Sequence, residues 1–161
     1  MIIRLLFAAL LSAIFISSGV SAQERPIADE PTATKPLEKG QKAPEVTVKG
    51  LDGKDVSLAS LHQEKPLVIV FFRGGWCPIC TKHTQQLIKV YPELNAKGFE
   101  MIAVSPDSVE STKANVEKSS IPFPLYSDSE LNATSGFGLA FKVDDATVTK
   151  YKGFGIDLEN A

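Results

Sequence analysis

Leu67-Val68-Ile69-Val70-Phe71-Phe72-Arg73-Gly74-Gly75-Trp76-Cys77-Pro78-Ile79-Cys80 is the stretch on which the fold turns. Six consecutive apolar residues follow Pro66 and stop at Arg73-Gly74-Gly75, the pattern of a β-strand buried on both faces. Pro78 suits the first turn of a helix, where its missing N–H costs nothing. Cys80, Thr84, Leu87, Tyr91 and Leu94 then recur at spacings of four and three, one inward stripe of a helix that Gly98 ends. Pro92 falls inside that helix and is expected to kink it around Ile88. Cys77 and Cys80, the two cysteines of the chain, therefore stand where a buried strand turns into a helix.

Upstream, residues 45–49 alternate polar and apolar, with Val46 and Val48 on one face. Residues 50–54 make a turn and 55–58 return, which predicts an N-terminal β-hairpin. Downstream, 99–104 read as a second apolar strand. Ser105-Pro106-Asp107 opens another helix, with Asp107 and Glu110 at capping-box spacing. Residues 123–126 give a third strand. Ser127 and Glu130 repeat the capping-box spacing ahead of a short helix that ends near Gly138. The segment 143–155 stays open: Val148 and Tyr151 suit a helix, while Thr147 and Thr149 favour a strand. A hairpin followed by βαβαβα implies an α/β fold whose sheet carries helices on both faces.

The chain has 161 residues, enough for one domain, read as 40–161. Its formal net charge is -2 and it has no basic block, so no nucleic acid partner is expected. Residues 1–22 have the layout of a secretory signal peptide. Arg4 supplies a positive start, 5–16 are apolar apart from Ser12, and Val20-Ser21-Ala22 is a small-x-small cleavage signal. The apolar run is short for a bilayer of about 30 Å, so no stable membrane anchor is expected after cleavage. Residues 23–39, with Pro26, Pro31 and Pro36, read as a flexible linker. Export, to the periplasm, would set the cysteines in an oxidising compartment.

Attack by sulfur requires a thiolate. Cys77, at the helix N-terminus, meets unpaired N–H groups and the positive end of the macrodipole; Cys80 sits one turn further in. Cys77 is thus the expected low-pKa nucleophile and Cys80 its partner, with Pro78 stiffening the turn between them. Arg73 either adds a permanent positive charge or is a surface arginine after a strand. Gly74 and Gly75 let backbone approach the sulfur. Trp76 either covers the site or packs ordinarily. A bridge across so short a loop removes little chain entropy, which favours a redox role over a static staple. A metal site of Cys77, Cys80, His83 and His62 can be drawn, but there is no second C-x-x-C and no H-x₃₋₅-H pair, so no metal is expected. His83 reads as a solvated helix residue, and Asp107 and Asp128 as helix caps.

With that motif and topology in hand, the chain resembles the peroxiredoxin-like branch of the alkyl hydroperoxide reductase / thiol-specific antioxidant family, in the thioredoxin-like superfamily. The matching stretches are Phe71-Phe72-Arg73-Gly74-Gly75-Trp76-Cys77-Pro78-Ile79-Cys80, Ile102-Ala103-Val104-Ser105-Pro106-Asp107 and Phe123-Pro124-Leu125-Tyr126-Ser127-Asp128. Phe137-Gly138-Leu139 and Phe154-Gly155-Ile156-Asp157-Leu158 also match. The resemblance implies a thioredoxin-like fold and a thiol peroxidase. Cys77 would attack the O–O bond of hydrogen peroxide or an organic hydroperoxide and become a sulfenic acid. Cys80 would condense with it to a Cys77–Cys80 disulfide, and a thioredoxin-like thiol reductant would reduce that bridge. No metal or organic cofactor is implied.

Two departures from the family pattern stand out. Around the reactive cysteine the pattern is P-x-x-x-T-x-x-C, and here Val70 stands at the proline position and Gly74 at the threonine position. The hydroxyl that would hold the peroxide is absent. Family members also continue past Ile156-Asp157-Leu158 into a β-hairpin and a final helix, whereas this chain stops at Ala161. The expected domain therefore lacks those elements, as a fragment or as a chain that completes its sheet with another copy in a homo-oligomer. Two other readings stay open. One is an exported thiol–disulfide oxidoreductase acting on protein disulfides, which Trp-Cys-Pro-x-Cys fits equally well. The other is a non-catalytic domain with a structural disulfide.

Overall fold

A computed structural model of the chain describes residues 25–158; the expected signal peptide, 1–22, lies outside them. In chain order the elements are a 3-10 turn (Pro31–Ala33), β1 (Thr47–Lys49), β2 (Asp55–Ser57), a second 3-10 turn (Leu58–His62), β3 (Leu67–Phe71), α1 (Pro78–Ala96), β4 (Glu100–Ser105), α2 (Val109–Ser119), β5 (Leu125–Ser127), α3 (Asn132–Gly136) and α4 (Asp145–Gly153). The segment that the pattern left open is helical. The Asp144 carboxylate accepts from the N–H and the hydroxyl of Thr147, and this cap outweighs the β preference of the flanking threonines.

The strands form one sheet in the order β2-β1-β5-β4-β3. β3, β4 and β5 run parallel, while β1 is antiparallel to both β2 and β5. Period-two alternation on β4 builds two core layers. Ile102 and Val104 pack with Val48, Leu58, Ala133 and Phe137 on one face. Met101 and Ala103 pack with Phe123, Leu125 and the α1 residues Leu87, Ile88, Tyr91 and Leu94 on the other. The expected α/β architecture, with helices on both faces, is what the chain adopts. α1 runs on through Pro92 to Ala96.

Several local expectations are corrected. β3 was expected to be buried on both faces, yet it lies at the edge of the sheet and all five of its residues are half-buried. Its apolar run serves both layers: Leu67, Ile69 and Phe71 join one and Val68 and Val70 the other. A groove of about 750 Å³, lined by Leu67, Ile69, Phe71 and Phe137 among others, runs along the first face. The α2 cap is Ser108, whose Oγ accepts from Ser111 N–H, because Asp107 is turned inward. Ser127 ends β5 and donates its hydroxyl to the Asp107 carbonyl. Asp128, as expected, caps the next helix, accepting from the N–H groups of Ala133 and Thr134 and the Thr134 hydroxyl. Of residues 23–39, expected as a flexible linker, the described part, 25–39, is stitched along the segment before α4. Ala28 N–H donates to Ala140 O, Lys142 N–H to Ala28 O, and Lys35 N–H to Gly138 O.

Candidate active site

The chain leaves β3 still pinned to its neighbour, with Phe72 N–H donating to the Val104 carbonyl at 3.0 Å. It then crosses Arg73 to Trp76 in a short loop. Cys77 N–H donates back to the Gly74 carbonyl, and Pro78 opens α1 at its first position. Cys77 is the N-cap: its backbone is extended, and its Sγ accepts from Cys80 N–H at 3.3 Å. A sulfur thus takes the place usually held by a side-chain oxygen, and orphan amide donors reward its negative charge.

The second donor to that sulfur is Arg73, whose Nη2 stands 3.0 Å from Cys77 Sγ. Both cysteines are free thiols; Cys77 is fully buried and Cys80 partly so. Burial pushes the Cys77 thiol up, but the Cys80 thiol, the Cys80 N–H and the Arg73 guanidinium outweigh it and hold Cys77 below the usual cysteine range. Cys80 moves the opposite way, raised by burial and by its bond to Cys77. One turn of helix therefore holds a sulfur shifted toward its thiolate and a sulfur shifted toward its thiol, a division suited to thiol exchange.

Arg73 is itself held. Its Nη1 donates to Tyr151 Oη at 3.0 Å, across 78 residues of sequence. Its guanidinium lies 5.3 Å from the Trp76 ring centre. The Trp76 and Tyr151 rings meet edge to face at 5.6 Å. The Tyr151 hydroxyl first, and the Cys77 sulfur next, push the guanidinium further up from its ordinary value, so its charge is permanent.

Arg73, Trp76, Cys77, Pro78 and Cys80 are thus brought together in one place. Gly74 and Gly75 are beside them, but for a different reason from the one expected. Gly74 has φ +142°, and a Cβ there would run into Asp107 Oδ1 and the Trp76 indole nitrogen. A Cβ on Gly75 would meet Asn115. The space at Gly74 is thus taken by Asp107 and Trp76, and that at Gly75 by Asn115 of α2. Asp107, read from the sequence as a cap, belongs to the site's support. Its Oδ2 accepts the Gly75 N–H at 2.7 Å and the residue is 2% exposed. Burial raises its carboxyl, against the Gly75 N–H and the Ser105 hydroxyl.

Sequence reasoning missed Tyr151 and this role of Asp107. Tyr151 carried only a helical-spacing signal, and nothing local to either residue names Arg73 or Gly75 as its partner. His83 is exposed on α1, and His62 lies at the groove on the other face of the sheet. Among the described residues no group of three or more His, Cys, Asp or Glu is arranged to hold a metal ion.

Comparison with known proteins gives the following likenesses. The model of the AhpC/TSA family matches residues 39–157. The chloroplastic peroxiredoxin Q of Populus jackii is 37% identical over 92 residues, which are 57% of this chain and 43% of that protein. The chloroplastic peroxiredoxin Q of Suaeda salsa is 33% identical over 112 residues, 70% of this chain and 52% of that protein. A solved structure of Xanthomonas campestris peroxiredoxin Q superposes with a TM-score of 0.53 at 28% identity, covering 57% of this chain and 58% of that one. The chain spans about half the length of the relatives it matches. The sheet and helices described above match the thioredoxin-like fold of the peroxiredoxins.

Proposed function

The chain belongs to the AhpC/TSA family, and on that premise we propose that it is a thiol peroxidase that reduces hydrogen peroxide or organic hydroperoxides at Cys77. The observation that carries this reading is the Cys77 sulfur, buried and held between Arg73 Nη2 at 3.0 Å and Cys80 N–H at 3.3 Å. Those donors hold the Cys77 thiol below its ordinary range and so favour the thiolate, the form that attacks peroxide.

The Cys77 thiolate attacks one peroxide oxygen, the O–O bond breaks, and the departing oxygen takes a proton to leave as water or alcohol. Cys77 is now a sulfenic acid. The Cys80 thiol attacks its sulfur and water leaves, so that the S–O bond is replaced by the Cys77–Cys80 disulfide. A thioredoxin-like dithiol returns both sulfurs to the reduced state by exchange. The upward shift of Cys80 favours its thiol during the first step, and the thiol proton leaves with the water of the second. The composition of residues 1–22 supports a periplasmic setting for this cycle.

A second reading, thiol–disulfide exchange with protein disulfides, is favoured by Gly74, which offers no hydroxyl to a bound peroxide at that position. The two are separated by following Cys77 oxidation by hydrogen peroxide in stopped flow, beside an insulin-disulfide reduction assay. The peroxidase reading expects oxidation well above the rate of free cysteine. Oxidation at the free-cysteine rate sinks it, and turnover of insulin in that case moves the assignment to disulfide exchange.

A further inference from the structure

We propose that Tyr151 is a positioning residue for the Cys77 thiolate, acting through Arg73: its hydroxyl fixes the guanidinium where Nη2 reaches the sulfur. This deepens the reading of Cys77 as the attacking sulfur and rests on it. Arg73 is a long, exposed side chain, and a free arginine there would spend its time among many rotamers. Instead Nη1 is tied to Tyr151 Oη and Nη2 to Cys77 Sγ, both at 3.0 Å. The planar fork makes these two bonds interdependent, because fixing one nitrogen sets the direction of the other. The flat face of the guanidinium is closed by Trp76, and Trp76 in turn is closed by the edge of Tyr151.

The partner's chemistry matters as much as its place. A carboxylate would hold Arg73 firmly and neutralise it. A phenol holds it as a neutral acceptor and leaves the whole positive charge to the sulfur. α4 is built to deliver this group. It has no fully buried residue, and Thr147, Val148 and Tyr151, at spacings of three and four, are its half-buried ones. The Tyr151 ring also meets the Phe154 ring, with ring centres 6.4 Å apart. The groups that set the charge state of Cys77 are therefore Arg73 from the loop after β3 and Cys80 from α1. Tyr151 of α4 acts through Arg73, and Asp107, between β4 and α2, faces the same loop and accepts the Gly75 N–H.

The test uses the full chain in a Cys80→Ser background, so that one thiol reports. The pH dependence of Cys77 alkylation by iodoacetamide is measured with Tyr151 and with Tyr151→Phe, which keeps the ring and removes the acceptor. The half-point is expected to rise by about half to one pH unit, a roughly three- to tenfold smaller thiolate fraction below it. Arg73→Met is expected to raise it at least as far, and Tyr151→Phe to add nothing on top of Arg73→Met. An unchanged profile in Tyr151→Phe that keeps native Trp76 fluorescence overturns the proposal. So does an equal shift in the presence and absence of Arg73, which would make Tyr151 act by another route. Alkylation uses no peroxide. A chain that fails to reduce peroxide yet shows the shift loses the peroxidase reading and keeps the Tyr151 assignment.

Discussion

At the scale of single residues, Gly74 shows how much a missing side chain can decide. The family pattern has a threonine hydroxyl at this position, and restoring it looks like an obvious improvement. The backbone forbids it. φ is +142°, a region open to glycine and costly for a β-branched residue, and the space a Cβ would need is filled by Asp107 Oδ1 and the Trp76 indole. We expect Gly74→Thr to destabilise the fold by about 1–3 kcal/mol in urea unfolding. It should also slow Cys77 alkylation at neutral pH, because displacing Trp76 takes away the surface on which Arg73 rests. A variant of unchanged stability that reacts faster with peroxide would show this reasoning to be wrong. Cys77, Cys80 and Arg73 were legible in the sequence because the contacts that define them span only three or four residues. Tyr151 was not, because its contact with Arg73 is made by tertiary packing alone.

At the scale of elements, the junction between β4 and α2 joins the sheet to the loop ahead of Cys77. Asp107 and Ser108 are adjacent, and both are good helix caps. Sequence spacing favours Asp107, which has Glu110 three residues on. The choice is made by the Gly75 amide, 32 residues away, which needs an acceptor inside the protein and takes the aspartate, leaving the serine to cap. The same competition separates Ser127, which holds the Asp107 carbonyl, from Asp128, which caps the next helix. Removing the acceptor should therefore cost more than removing the charge. Asp107→Ala strands the Gly75 N–H and is expected to cost about 1–3 kcal/mol, while Asp107→Asn keeps an oxygen for it. The two proteins should also diverge with pH. Burial raises the folded carboxyl above its ordinary value of 3.8, so between that value and the raised one the folded state binds the proton more than the unfolded state does. Stability from this group is full below the unfolded value and falls as pH rises through the window. Asp107→Asn has no such proton, and the exposed carboxylates Asp52 and Asp144, which are shifted the other way, are common to both proteins. Urea midpoints taken from pH 4 to 7 should show the advantage of the native protein over Asp107→Asn shrinking with rising pH. A difference that is flat or grows would contradict a raised Asp107.

At the scale of the whole molecule, the longest apolar run misleads about where the stability lies. Residues 67–72 have the composition of a strand buried on both faces. Composition reports that both faces of a strand touch apolar neighbours; it does not report how completely, nor how many strands lie beside it. β3 touches both layers from the edge, whereas β4, flanked by β3 and β5, supplies Met101, Ile102, Ala103 and Val104 to the buried core. The strands, their order along the chain and the two helical faces followed from periodicity, which is local. The rank of each strand within the sheet depends on pairing, which is not. Equal chemistry at two isoleucines separates these cases. Ile102 is 1% exposed among Val48, Leu58, Val104 and Ala133, so truncation leaves a cavity closed on all sides, and Ile102→Ala should cost about 2–5 kcal/mol. Ile69 is half-buried on the open groove, where water can enter the space its side chain vacates. Ile69→Ala should cost about 1–2 kcal/mol, near half of a full burial. Urea unfolding of both variants decides the matter. Equal losses, or a larger loss at Ile69, would mean that β3 is covered in the folded protein and that the apolar run had told the truth about its place.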